Sequence, residues 1–527
     1  MALDQAVALT FTVDGGPEDQ FRVFHFRGEE EIAALYRFEV DAVARDSDIA
    51  LETLLHRRAR LTIADRRATR HVPGMIAAVE QRGETHTHAF IYRFTLVPRA
   101  AKLDLSRQNQ IYGTLEGVNL LDVARAELTG EGVRGPAVEA ASYLAAHEVD
   151  FDRVWETDSY PKRDYIVQYA ESDWAFISRL LEHWGIFHYF RPEEAGEILV
   201  LGDGNHAFAN AAGSGDAAGG SGGDAPPAFP YRPHSGLGAA DAQAVHRFSA
   251  RAKGLPKKLV LKDYNWRNPN IPLQAEAEVD PEGHGVVAEY GDHFRTPMEG
   301  QTLARIRAEE LRAQKRVFDG ASDCVPFVPG HRIALTEHFR SDYNRSYVLV
   351  SVVHEGRQPL GDAAVDPETS GPDYRNTFVA IPDDVPYRPP RRTPKPRVPG
   401  LFTAHVDAAG AGTRAEIDGD GCYKVRVPFD LAGSPEGKAS RFVRRSQPYG
   451  GRIDQEGNGE PVSGFHFPLL KGTEVVCACI NGDPDRPVIV GAMPNRLGPS
   501  VVQSGSQTRN RVKTASGIVM QFEDSTA

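Results

Sequence analysis

Two carboxylates, Asp483 and Asp485, stand one residue apart in the run Gly482-Asp483-Pro484-Asp485-Arg486-Pro487. Paired acidic groups are what general acid and base catalysis requires. Asp beside Pro between two apolar runs has a simpler use, which is to bond its own turn backbone, and we read Asp483, Asp485 and Arg486 as hairpin-turn residues. His86 and His88 have the spacing of metal ligands on a strand. They share a face with Phe90, Tyr92, Phe94 and Leu96, so we expect hydrogen-bonded packing there. Cys477 and Cys479 lack a second pair or nearby histidines and read as core. Ser221, inside Gly219-Gly220-Ser221-Gly222-Gly223, matches a nucleophile elbow by letter, but a glycine tract cannot hold a serine on a strained turn beside an oriented histidine. Residues 433–439 fall one short of a phosphate loop. Residues 418–422 begin like a calcium loop and then place Cys422 where an oxygen ligand is needed. No catalytic, cofactor-binding or metal set emerges, and we expect no enzyme.

The elements that must carry these residues are mainly strands. Around the Asp483 turn, residues 401–406, 423–427, 442–445, 474–480 and 488–490 give the strand count and size of an OB-type barrel over residues 401–495. Its candidate aromatics, Tyr423, Phe429, Phe442, Tyr449, Phe465 and Phe467, form no stacking platform for single strands. Upstream, residues 381–400 interleave prolines with Arg388, Arg391, Arg392, Lys395 and Arg397. This predicts an extended, solvated linker along an acidic surface and a domain boundary. Residues 1–380 read as two β-barrel sections with helices. The first carries strands at 9–13, 21–26, 36–43, 60–63 and 86–97, with weaker helical stretches at 119–128 and 138–148. A helix capped by Ser172 and ended by Gly185 follows. A glycine-rich surface loop spans 213–223, and a second long helix covers about 300–316. The fold class is therefore mainly β, with α+β character.

Composition narrows the function. A formal net charge of -12 argues against general nucleic-acid binding. No apolar run reaches the 18 or so residues that read as a bilayer span, and the N-terminus lacks a secretory pattern. We expect a cytoplasmic protein unless a dedicated machine exports it. Four cysteines, Cys324, Cys422, Cys477 and Cys479, are too few and too scattered for a disulfide framework.

The runs "DGDGCYKVRVPFD" (418–430), "RFVRRSQPYGG" (441–451), "GFHFPLLKGTEV" (464–475) and "GDPDRPVIVGAMPN" (482–495) resemble the OB domain of the VgrG family, the spike-tip proteins of type VI secretion systems. "YAESDWAFISRLLEHWGIFHYF" (169–190), "LKDYNWRNP" (261–269) and "EGQTLARIRAEELRA" (299–313) are similar to that family's hub module. Two places depart from the pattern: 98–105 lacks a common tryptophan, and 444–447 has a second arginine where valine is usual.

The resemblance implies a homotrimer whose hub matches the Hcp tube ring, with OB domains above it. A trimeric β-helix needle would follow, capped by a PAAR-type tip or an effector. It also implies baseplate partners, mechanical contact with a target membrane, no nucleic acid, and delivery by the secretion machine. On this reading residues 496–527 begin the needle and stop barely into it. Their hairpin places Ile518, Met520 and Phe522 on one face. Two strands alone are marginal in water, and three copies about a threefold axis would bury those faces. The alternatives are a hub or spike of a phage tail or bacteriocin-like particle, and a spike-fused cell-wall hydrolase.

Overall fold

The computed structural model describes residues 7–17, 19–85, 88–113, 117–129, 149–154, 160–193, 196–212, 225–233, 243–360, 373–431, 436–452 and 462–524. His86, the 138–148 stretch, the glycine tract with Ser221, and part of 433–439 lie outside them.

A 13-stranded sheet dominates the first 382 residues. Its main path runs Ala8–Val13, Arg58–Ala64, Thr69–Glu84, Phe90–Val97, Arg37–Ala44, Arg22–Glu31, Ser346–Arg357, Asp373–Pro382, Arg316–Ser322, Val245–Ala252. The two strand-rich sections expected from the sequence are joined edge to edge. Arg22–Glu31 pairs antiparallel with Ser346–Arg357, in the register His25 to Arg357 through Glu31 to Ser351. Each side curls over its own apolar core. One core holds Phe11, Phe21, Phe26, Phe38, Tyr92 and Phe94. The other holds Phe248, Phe318, Phe327, Tyr347 and Phe378.

A buried polar chain crosses the seam between the two sides. His354 Nε2 lies 2.9 Å from Glu30 Oε2, and its Nδ1 lies 2.7 Å from the Tyr374 hydroxyl. Arg70 also pairs with Glu30. Asn376 continues the chain by donating to Tyr374 Oη at 3.2 Å and accepting from Ser322 Oγ at 2.6 Å. Burial by itself raises the Glu30 carboxyl, but Arg70 and His354 outweigh it and hold the group down to about 2. Burial, reinforced by Arg70, pushes the His354 imidazole down to about 4.

Three α-helices occur among the described residues: α1 (Leu120–Thr129), α2 (Asp173–His183) and α3 (Pro297–Arg312). Ser172 caps α2 by accepting from Ala175 N at 3.2 Å, and Thr296 caps α3 by accepting from Glu299 N at 3.2 Å. At the end of α2, Gly185 takes a φ of 67°, and a Cβ there would stand 2.5 Å from Ile306 Cγ2. Only glycine both reaches that conformation and admits the approach of α3. The two long helices do not plug separate barrels. Ile177 and Leu181 of α2 share one core with Leu303 and Ile306 of α3.

Two strand expectations change. The longest strand is Thr69–Glu84, and Phe90–Val97 begins after His88. His88 sits in the intervening turn with φ 59° and pairs with Glu84, so it is not on the aromatic face. The proline-rich segment is also more than a solvated linker. Its first two residues finish strand Asp373–Pro382, and Tyr387, Arg388 and Val398 are buried.

Beyond it, Leu401–Val406, Tyr423–Arg426, Phe442–Arg445, Pro487–Ala492 and Glu474–Cys479 close a five-stranded barrel in that order. Ala404, Tyr423, Val425, Val443, Val475, Cys477 and Ile489 fill it. The hairpin Arg509–Lys513 with Val519–Glu523 then stands as a separate two-stranded sheet.

Candidate assembly interface

The Asp483 turn forms as the sequence suggests: Asp485 N donates to Asp483 Oδ1 at 2.9 Å, and Arg486 N donates to Asp483 O at 2.9 Å. Its surroundings are less expected. Both carboxylates are buried, and Lys395 Nζ lies 2.6 Å from each. Asp485 Oδ1 also accepts from Val167 N at 2.7 Å, which fixes the turn to the strand that leads into α2. Arg486 Nη2 reaches both oxygens of Asp263, at 2.8 and 2.9 Å, and that carboxylate is fully buried. The hairpin therefore clips the barrel to the hub.

A second contact lies beside it. Asp164 of the hub pairs with Arg441 of the barrel, and with Arg295 at 2.5 Å and Arg267 at 3.4 Å. Burial opposes ionisation of Asp164, but Arg441 and Arg295 overcome it and hold the carboxyl well below its usual range. Arg444 of the barrel and Arg267 of the hub both lie over the Trp266 ring, 4.8 and 4.7 Å from its centre.

His293 joins the same cluster, with its Nδ1 4.0 Å from Asp483 Oδ2 and its backbone at φ 61°. Ligand atoms of His293, Asp483 and Asp485 lie within 4.8 Å of one another, close enough to hold a cation. The Lys395 ammonium already bridges the two carboxylates, and Arg486 Nε adds a second positive charge 3.8 Å from Asp483. Burial first, then Arg486 and Lys395, depress the His293 imidazole well below 6.5, so it is neutral. Burial raises Asp483, but Lys395 prevails and keeps it ionised. Such a group of paired charges holds two domains together and offers no poised acid or base.

The other surface lies at the end of the described chain. In the last hairpin Val512 faces Met520 and Asn510 faces Phe522 across the ladder. Ile518 belongs to the turn, just before the strand that begins at Val519. Ile518, Met520 and Phe522 are 71%, 56% and 63% exposed, although all three are strong core formers. Most other exposed large apolar side chains also lie from Leu401 onward, among them Leu401, Phe465, Phe467, Val490 and Leu497. In the single chain these apolar side chains of the barrel and hairpin stand uncovered.

Sequence reasoning singled out the turn residues and the hairpin face. It missed Asp263, Arg441, Asp164 and Lys395 as the partners of the turn and the barrel. Two of them stand in the runs "LKDYNWRNP" and "RFVRR", where a charge beside aromatic residues was the available signal.

The profile of the phage tail baseplate hub (GPD) family matches residues 29–360. The type VI secretion system spike protein VgrG4b of Pseudomonas aeruginosa is 30% identical over 523 residues, covering 96% of this chain and 58% of the relative. VgrG5 of the same organism is 30% identical over 509 residues, covering 94% and 59%. The actin cross-linking toxin VgrG1 of Vibrio cholerae is 26% identical, with 92% and 41% covered. The chain thus spans under two thirds of the length of these relatives. In fold it is similar to an Escherichia coli type VI component described as resembling the T4 tail proteins gp27 and gp5. That match has a TM-score of 0.61 at 21% identity and covers 92% of this chain and all of that one. A Francisella PdpA–VgrG complex chain matches at TM-score 0.58 and 7% identity, with 98% and 76% covered.

Proposed function

Because the chain belongs to the phage tail baseplate hub (GPD) family and matches VgrG spike proteins along almost its whole length, we propose that it is a structural spike of a type VI secretion system. Three copies form the working unit. The hub modules make a ring that caps the Hcp tube and seats in the baseplate, and the barrels and hairpins converge above it. The tip they build accepts a PAAR-type protein and an effector or its adaptor, and pierces a target membrane mechanically. The protein assembles in the cytoplasm and leaves with the tube.

The observation that carries this reading is the exposed apolar face of the last hairpin, borne by a barrel clipped to its hub. A free two-stranded hairpin has too little buried surface to be stable, and three of them packed about one axis bury Ile518, Met520 and Phe522 together. The work asked of the chain is to resist load, which depends on buried area and needs no reacting side chain. On peptidoglycan these 527 residues are expected to give no turnover.

A phage tail hub is the second reading, supported by the same family match. Electron microscopy of the assembled particle tests both. A threefold spike on a sixfold base supports the general architecture, and a particle lacking threefold density at that position overturns it. Loss of Hcp release on deleting the gene separates the secretion role from a phage role.

A further inference from the structure

The proline-rich segment carries five cations, and their acceptors are spread over α3, the strands that hold Glu289 and Glu31, and the barrel turn. Arg388 is buried against Glu309 of α3, with Nε 2.7 Å from Oε2, and its Nη1 donates to Gly185 O at 3.2 Å. Arg391 reaches Glu289 at 2.8 and 3.0 Å and lies 3.5 Å from Glu310. Arg392 pairs with Glu31 at 2.6 Å. Lys395 joins the two turn carboxylates of the barrel at 2.6 Å. Arg397 donates to Asn481 O at 2.6 Å. Between these, Thr393 donates from both N and Oγ1 to Glu182 of α2, at 2.9 and 2.8 Å.

Prolines at 389, 390, 394, 396 and 399 interrupt any run of backbone hydrogen bonds over 389–399 and keep the segment extended. Tyr387, packed on Phe187 and Phe208, and Val398, whose N donates to Gly482 O, anchor its two ends, and between them residues 389–397 are held by charged side chains and Thr393. The segment also roofs a cavity of about 440 Å³ whose walls include Glu182, His183, Asp292 and His293. Lifting residues 389–397 wets charges and leaves Tyr387 in its apolar core.

We propose that residues 389–397 are a charge-zippered clasp, which holds the barrel at a fixed angle on the hub and opens before either core unfolds. Every contact lies within one chain, so the clasp operates whether or not three copies assemble. Exposed ion pairs weaken with salt, while core burial does not. Arg391, Glu289 and Arg392 are 31%, 31% and 54% exposed, which places the middle of the zipper within reach of ions.

Trypsin reads the state of the clasp, since the bonds after Arg391, Arg392 and Arg397 are not followed by proline. The full chain is digested briefly from about 0.05 M to about 1 M NaCl. An unstructured peptide of the same sequence corrects for salt effects on the protease. We expect cleavage in the segment to rise about tenfold with salt while hub and barrel persist as resistant fragments. The double variant Glu289→Ala, Glu310→Ala keeps every tryptic site, and it is expected to cut at the fast rate already at low salt. Unchanged tryptophan fluorescence and thermal midpoint establish that the variant is folded. Salt-independent cleavage of the wild type, wild-type protection in the folded variant, or loss of the hub together with the segment would each overturn the proposal. Should that variant not fold, Arg392→Lys with Glu31→Gln removes another exposed pair and is read the same way.

Discussion

Replacing His188 with phenylalanine isolates the cost of burying a neutral imidazole. The ring lies edge-on to Trp174 at 5.0 Å and near Phe190, it is 3% exposed, and its Nε2 has no protein partner. Burial alone pushes the group from 6.5 down to about 4. Below pH 6.5 the unfolded chain binds a proton that the folded chain refuses. Stability from this ring is therefore full above 6.5 and falls as pH drops toward 4. Between pH 7 and pH 5 the loss comes to about 2 kcal/mol. His331 and His354 are also depressed to about 4, and they cancel when wild type and His188→Phe are compared. Any packing change from the larger ring is independent of pH. Urea unfolding followed by tryptophan fluorescence at pH 7 and pH 5 should show the variant losing about 2 kcal/mol less than the wild type. At pH 7 the unpartnered nitrogen is gone, so the variant should be no less stable, apart from any strain. An identical pH 7 to pH 5 change in both proteins would refute the reasoning.

The remaining expectations concern the seam, the joint and the hairpin. Glu30→Gln leaves Arg70 buried without its counter-charge and should cost about 3–5 kcal/mol in urea unfolding. The Glu30 contribution is complete above about 4.5 and is lost as pH falls through about 2, so the variant's deficit should shrink in strong acid. Arg486→Ala strands the buried Asp263 carboxylate and should cost about 3 kcal/mol, with faster amide exchange at Val167 and in the 482–487 turn. Met520→Asp with Phe522→Asp places charge on side chains exposed in the single chain. Its unfolding free energy as a monomer should change by no more than about 0.5 kcal/mol, while association is lost.

How much could be read in the sequence depended on range. The barrel strands were found to within a few residues because alternation and turn residues are local signals. Helices α2 and α3 were found through Ser172, Gly185 and the spacing of Leu303 and Ile306. Thr69–Glu84 escaped as a strand because Pro73, Gly74 and Gly83 resemble breakers and its second half is mostly exposed. Pro73 and Gly74 nevertheless pair in unbroken register with Arg60 and Ala59, and the register shifts of this strand fall later, between Ile76 and Ala78 and between Gln81 and Gly83. The seam pairing of His25 with Arg357 joins residues far apart in the chain, and no local period announces it. At the joint, local chemistry identified Asp483 as a turn acceptor. The burial that makes Asp483, Asp485 and Arg486 a clip depends on Lys395, Asp263 and Val167, which only the folded chain brings near. The linker was rightly placed on an acidic surface, but the number of its ion pairs and the burial of Arg388 follow from tertiary contacts.

The central claim is that this chain works as three copies joined along the barrel and hairpin surface. Light scattering on the purified protein measures it directly. A mass three times that of one 57.7 kDa chain, falling to a single chain in the Met520→Asp, Phe522→Asp variant, is the predicted result. A wild-type protein that stays at the mass of one chain at high concentration would contradict the account.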